Sequence, residues 1–374
     1  MKGIKLVGDE GQAFEWRPSG RSVPAVSRDG FVTRRVFAAA HIVADPVTSS
    51  VDWEATMAFR HHLWRLGFGV AEAMDTAQRG MGLNWETARE LILRTAGEAA
   101  VNRSPAVYGA STDQLPEEAV ATVPAVIEAY RQQVELIESV GGQAILMASR
   151  ALASIATSAE DYLDVYGTII TEAARPVMIH WLGEVFDPAL AGYWGSHDPW
   201  TALETVLALA TAHPDRIDGV KISLLDDKLE KSMRARLPGG VRTYTGDDFN
   251  FVDMILGDED GHSDALLGVF DPIAPVASAA LEALDAGDPE GFRALLDPTI
   301  PFARHLFSAP TYHYKTGITF LAFLNGHQDH FRMINGAENS RSIAHLSRLL
   351  ALADEAALLV DPDLAVDRMS RLLG

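Results

Sequence analysis

Cysteine is missing from all 374 residues. That excludes disulfides, zinc–thiolate sites, iron–sulfur clusters and thiol nucleophiles, so any chemistry must use oxygen and nitrogen. Cations are in short supply, with 31 Lys and Arg against 51 Asp and Glu and a formal charge of −20. Such a surface repels a phosphate backbone instead of releasing its counterions, and no nucleic acid is expected as a partner. No stretch approaches the roughly 18 consecutive apolar residues of a membrane span, and the opening MKGIKLVGDEGQAFEWRPSGR has no apolar core for a secretion signal. A cytoplasmic protein without membrane contact is the expectation. The GxGxxG fingerprint, the Walker loop and the GxSxG elbow are absent as well, which leaves nucleotide cofactors without support.

What is present is a chain able to bury a large core, 48% hydrophobic and 22% charged. Eight short apolar runs recur along it: 36–44, 70–75, 106–110, 143–149, 176–182, 217–223, 242–247 and 264–270. Amphipathic helical stretches separate them, among them 52–66, 85–101, 115–140, 159–174 and 200–212. Strand and helix periods alternating in this way indicate βα units on a parallel sheet, and eight strands close a barrel. The expected fold is therefore α/β, a (β/α)8 TIM barrel over residues 36–271. An N-terminal extension with a hairpin around GDEGQ (1–35) precedes it, to close the barrel floor or pack on a neighbour. Extra C-terminal helices (272–374) follow, packed on the barrel.

In such barrels chemistry collects at the carboxyl ends of the strands. The polar residues falling there are His41, Asp75, Thr76, Tyr108, Ser149, Arg150, His180, Lys221, Ser223, Asp247, Asp248 and Asp271. Lys221 lies inside the apolar run IDGVKIS. Pointing inward it would be partly desolvated and become a usable amine nucleophile for a carbonyl; pointing outward it would snorkel or pair with Asp247 or Asp75. His180 is either a proton relay or a satisfied core histidine. The aromatic segment from His180 to Trp200 would cap a sugar face or simply pack its loop. His327 and His330 in GHQDHF have a spacing open to metal ligation, and Lys315 is expected at the surface or in an interface. A divalent metal held by His41, Glu72, Asp75, His180 and Asp271 is the alternative to an amine nucleophile, giving an isomerase, epimerase or hydrolase.

From about Val36 to Leu324 the order of motifs resembles the dihydrodipicolinate synthase and N-acetylneuraminate lyase superfamily of class I aldolase barrels, and more narrowly the DUF993 family. VDWEATMAFRHHLWRLG is similar to the first helix, DTAQRGMGLNWETARELI to the GTTGE loop and its helix, IDGVKIS to the strand of the imine-forming lysine, and TYTGDDFNFVDMILG to the SGDD segment. The resemblance implies Lys221 as the Schiff-base residue and no cofactor. It also implies a dimer or tetramer. There are departures. His180 replaces the relay tyrosine, Asp75 and Ala77 replace a glycine and a threonine of the loop while Thr76 stays, and Val185 replaces an arginine. An Asp at position 75 repels a carboxylate, so a keto-sugar or related small carbonyl fits better than a pyruvate-like acid unless Arg79 or Arg150 supplies an anion site. The expected function is a Schiff-base lyase, aldolase or dehydratase with Lys221 and His180 catalytic. Asp75, Thr76, Tyr108, Arg150, Ser223, Asp247 and Asp248 would bind substrate. A barrel that only binds its small molecule is the remaining reading.

Overall fold

The computed structural model describes residues 3–8, 11–116 and 122–374. Its first two strands, β1 (Ile4–Val7) and β2 (Ala13–Trp16), form an antiparallel hairpin. Eight further strands follow: β3 (Val36–Ala39), β4 (Gly69–Glu72), β5 (Ala106–Ala110), β6 (Ala144–Leu146), β7 (Val177–Leu182), β8 (Ile217–Ser223), β9 (Arg242–Thr245) and β10 (Asp264–Leu267). They close into a parallel barrel in chain order, β10 pairing with β3. The expected TIM barrel with an N-terminal hairpin is what the chain forms. Among the described residues no helix is long and apolar enough to cross a membrane.

Strands covered on both faces read as near-continuous apolar runs, and β7 (VMIHWL) is buried along its whole length. Successive side chains still alternate between faces. One set, including Phe37, Ala71, Val107, Met178 and Tyr244, fills the barrel interior. The other set, including Val70, Tyr108, Ile179 and Ile222, joins the larger core under the helices. The helices start where the sequence offers caps. Asp52 accepts from Ala55 N at 3.0 Å ahead of Trp53–Arg65, and Asn84 accepts from Thr87 N at 3.0 Å ahead of Trp85–Asn102.

Differences from the expected boundaries have local causes. The first barrel strand stops at Ala39 because the next amides are drawn to side chains, His41 N to Asp271 and Val43 N to Thr56. The helix expected from Leu115 begins at Val123 behind its cap Thr122, and residues 117–121 lie outside the described residues. Short helices at Arg150–Ile155, Ile300–Leu306 and Pro362–Leu373 had not been distinguished in the sequence. The hairpin packs on the chain's own helix Ile343–Glu355: Val7 N donates to Ser347 Oγ at 3.3 Å, and Ser19 N to Asp354 Oδ2 at 2.8 Å. The extension is thereby tied to the C-terminal helical region of the same chain. The helix Tyr314–Leu324 is buried at every residue, and its first turn reaches the mouth of the barrel.

Candidate functional site

Register along β7, β8 and β9 sets His180, Lys221 and Tyr244 side by side in one layer. Because Met178 and Tyr244 belong to the interior set, the same phase turns His180 and Lys221 inward. Two glycines keep room there. A Cβ on Gly219 would lie 2.7 Å from the Tyr244 ring, and one on Gly246 would lie 2.9 Å from Lys221 Cε and 2.1 Å from Ser223 Oγ. Lys221 is 5% exposed. Among the described residues its amine makes no hydrogen bond or ion pair. Burial pushes its pKa below the ordinary lysine range, against the pull of Asp75 and Asp248. Burial acts on Asp248 in the opposite sense, pushing its carboxyl up, although it accepts from Val269 N at 2.9 Å. Both shifts run toward the uncharged forms of the two groups.

Asp75 behaves differently. Desolvation raises its pKa, yet Lys315, Lys221 and His180 together outweigh that and hold it below the usual carboxylate range. Its Oδ2 accepts from Tyr314 Oη at 2.6 Å, and the same hydroxyl lies 2.8 Å from Thr76 Oγ1. Tyr314 was missed in the sequence. It sits in TYHYKTGITF, 239 positions from Asp75, and nothing local marks it as a site residue. His180 Nε2 lies 3.2 Å from Ser223 Oγ, and Nδ1 has no partner among the described residues. Burial, reinforced by Lys221, pushes its pKa well below the ordinary histidine value, which favours the neutral imidazole.

A cavity of about 670 Å3 opens above this cluster, with Asp75, Arg150, Met147, Phe186, Tyr312 and Lys315 in its wall. Of the cluster around Lys221, Asp75 is the member that lines this cavity. Lys315 corrects the expectation of a surface residue. It is 3% exposed, its Nζ donates to Tyr312 O at 3.3 Å, and it lies over the Tyr312 and Tyr314 rings at 5.0 and 4.4 Å. Burial pushes its pKa down to about 8. Arg150 is paired through Nε with Asp187 at 2.6 Å. Arg79 is committed elsewhere: its nitrogens donate to Asp113 at 2.6 and 2.8 Å, to Gly109 O at 2.7 Å and to Gln133 at 2.6 Å. A smaller cavity of about 190 Å3 beside Trp181, His197 and Asp226 does not include the Lys221 cluster.

Several expected site residues are placed otherwise. Tyr108 faces outward, its ring filling the space beside Gly142 and Ile137, because Val107 takes the inward phase on β5. Asp247 is built into its own turn, accepting from Phe249 N at 2.9 Å, Asn250 N at 3.0 Å and Asn250 Nδ2 at 2.7 Å. Glu72 also faces outward, held by Arg60 from the helix Trp53–Arg65. His41 Nδ1 pairs with Asp271 Oδ2 at 2.7 Å. The alternative metal set is therefore split between opposite faces of the barrel wall. Among the described residues no three His, Cys, Asp or Glu groups are arranged to hold a metal ion. His327 packs against His62 and Phe59, with ring centroids at 4.5 and 5.1 Å. In the aromatic loop Trp194 is buried against Tyr166 at 4.6 Å, and Tyr193 Oη accepts from Ser149 N at 2.9 Å. Tyr193 and Trp194 pack the loop, whereas Phe186 of the same segment lines the large cavity and Trp200 is 45% exposed.

The barrel is similar in fold to dihydrodipicolinate synthases of solved structure. That of Cyanidioschyzon merolae is 17% identical, with 87% of this chain and 99% of that one covered and a TM-score of 0.67. The Thermotoga maritima enzyme is 13% identical over 88% of this chain and 100% of its own, with a TM-score of 0.67. The Aquifex aeolicus enzyme is 14% identical over 87% and 98%, with a TM-score of 0.66. Identities this low establish the shared fold and nothing finer. No curated protein sequence matches the chain. The model of one family, described as "Protein of unknown function (DUF993)", matches residues 4–374, and the chain belongs to that family.

Proposed function

We propose that this protein is a Schiff-base-forming lyase or aldolase acting on a small carbonyl compound, with Lys221 as the amine. The carrying observation is a buried, inward-facing lysine without hydrogen bond or ion pair among the described residues, between two carboxylates that burial and charge drive apart. Carboxyl groups separated in this way can take acid and base roles. The neutral Lys221 amine attacks the carbonyl carbon. Asp248 supplies the proton that lets the carbinolamine oxygen leave as water, the second amine hydrogen departs with it, and an iminium faces the new Asp248 carboxylate. The iminium then accepts the electron pair of a neighbouring C–C bond, or of a C–H bond whose enamine goes on to expel an oxygen with its own C–O pair, a carbanion that would otherwise be too unstable at neutral pH. Asp75, kept ionised, accepts a hydrogen bond from a substrate hydroxyl, and Tyr314 fixes its direction. His180 and Ser223 offer a neutral donor and acceptor on the opposite side.

Borohydride reduction in the presence of a panel of ketoses and 2-oxo acids, followed by peptide mapping, tests this reading. The expected result is one reduced adduct, on Lys221, absent from Lys221→Met. An adduct on Lys315, or substrate turnover that leaves no adduct, would overturn it.

A further inference from the structure

The wall of the large cavity contains a feature that the imine chemistry does not use. Lys315 holds an ammonium inside the protein with one hydrogen bond, a long one of 3.3 Å to Tyr312 O, and among the described residues no carboxylate within ion-pair distance. Its remaining contacts are ring faces. A buried ammonium has three donors to satisfy, and leaving them empty costs several kcal/mol or drives the proton off. Arg150 stands on the same wall of the cavity and acts on Lys315 as a like charge. Its one ion pair, to Asp187, engages Nε, and its side chain remains 40% exposed. Asp75 and Asp187 both attract Lys315, but neither reaches it directly. Two cations facing one cavity without a direct bond between Lys315 and either acid is an arrangement that an incoming oxyanion completes, since it can accept from both at once.

We infer that Lys315 and Arg150 form an oxyanion-binding end to the cavity, so that the carbonyl compound meeting Lys221 carries a carboxylate or a phosphate. This rests on the imine reading above for its carbonyl end and replaces the neutral sugar that the Asp75 substitution suggested. The anion is met by the helix Tyr314–Leu324 and the first turn of Arg150–Ile155, beside the loop that carries Asp75 and Gly80. The apolar groups between, Met147, Leu182, Phe186 and Leu190, suit the carbon chain joining the two ends.

The test compares borohydride trapping on Lys221 for matched pairs, dihydroxyacetone against its phosphate and 2-pentanone against 4-oxopentanoate. The anionic member of at least one pair should trap about tenfold faster, the pair with the larger ratio distinguishing phosphate from carboxylate. That ratio should fall about tenfold in Lys315→Met and recover in part in Lys315→Arg. In parallel, inorganic phosphate and propionate are scored for a rise in thermal midpoint of the full chain, a readout that needs no imine. A rise in the wild type and none in Lys315→Met supports the anion site even if no ketone is trapped, in which case only the imine reading fails. Trapping with no preference for charge, or a ratio and thermal response that Lys315→Met and Arg150→Met leave at wild-type values, overturns the inference while the imine stands.

Discussion

Two acidic residues at the end of β4 stand three positions apart and live in opposite worlds. Glu72 faces out of the barrel and is saturated: Arg60 Nε and Nη2 each donate at 2.8 Å, Thr95 Oγ1 at 2.6 Å and Ala73 N at 2.9 Å. Asp75 faces the cavity and receives one hydrogen bond among the described residues, from Tyr314, while two lysines act on it from beyond ion-pair range. Glu72 is fully buried and Asp75 half-buried, and the larger difference is satisfaction. A buried charge whose lone pairs are all taken locks neighbouring elements together, here β4 to the helices Trp53–Arg65 and Trp85–Asn102. Charges left with unfilled positions beside a cavity have no such structural return, and a ligand is the natural completion.

The sharpest way to break this contrast is to remove one member of each group. Lys221→Met should abolish adduct formation and lower kcat by at least about a thousandfold, yet leave the thermal midpoint unchanged or raised, since an unpaired buried amine gives way to an apolar chain. Arg60→Met should do the reverse. Stranding Glu72 without its cation should cost about 3–5 kcal/mol in a urea titration, with the folded fraction still trapping substrate on Lys221. If Lys221→Met unfolds the protein, or Arg60→Met is neutral, the division fails.

Tyr314→Phe probes the boundary between the two regions. Loss of its hydroxyl should cost about 1 kcal/mol of stability and roughly tenfold in kcat, with KM little changed. It should also shift the acid limb of the kcat profile to higher pH, because the Tyr314 bond is one of the interactions keeping Asp75 ionised. A purely structural tyrosine would not move that limb. An effect confined to the pH dependence of stability is expected at Glu230, buried outside the barrel and accepting from Ser263 Oγ at 2.7 Å and Thr245 Oγ1 at 3.0 Å. Burial pushes its carboxyl from 4.5 to about 8. Across that interval the folded chain keeps a proton that the unfolded chain has released, so stability falls as pH rises. Glu230→Gln should flatten this fall in denaturant titrations between pH 5 and about 8; an unchanged slope would assign the pH dependence to other groups.

Much of the scaffold was legible beforehand. The span 217–223 is the strand of Lys221 residue for residue, and 106–110 that of Tyr108. These segments are apolar, short and bounded by polar helical stretches, so their period identifies them without reference to neighbours. Functional placement was legible only where it depended on the same strand. Lys221 and Ser223 share a phase with Gly219, and all three point inward. Tyr108 and Glu72 were misplaced because both faces of these strands are apolar, and alternation then carries no label for which phase faces the axis. Lys315 and Tyr314 were misjudged for a different reason: their helix looks ordinary in sequence, and its burial comes from packing across the barrel mouth.

The order of strands and helices, the exclusion of thiol chemistry and the presence of an amine within an apolar strand were all determined by local composition and period, which survive without knowledge of distant contacts. Closure of the barrel decided the rest. It chose which phase of each strand meets the axis, brought Asp75, Asp248 and His180 around Lys221, and laid the helix Tyr314–Leu324 over the opening so that Tyr314 reaches Asp75 and Lys315 enters the cavity. Desolvation and the charges gathered at that junction, properties of the assembled interior and of no single residue, together separate the pKa values on which the proposed chemistry depends.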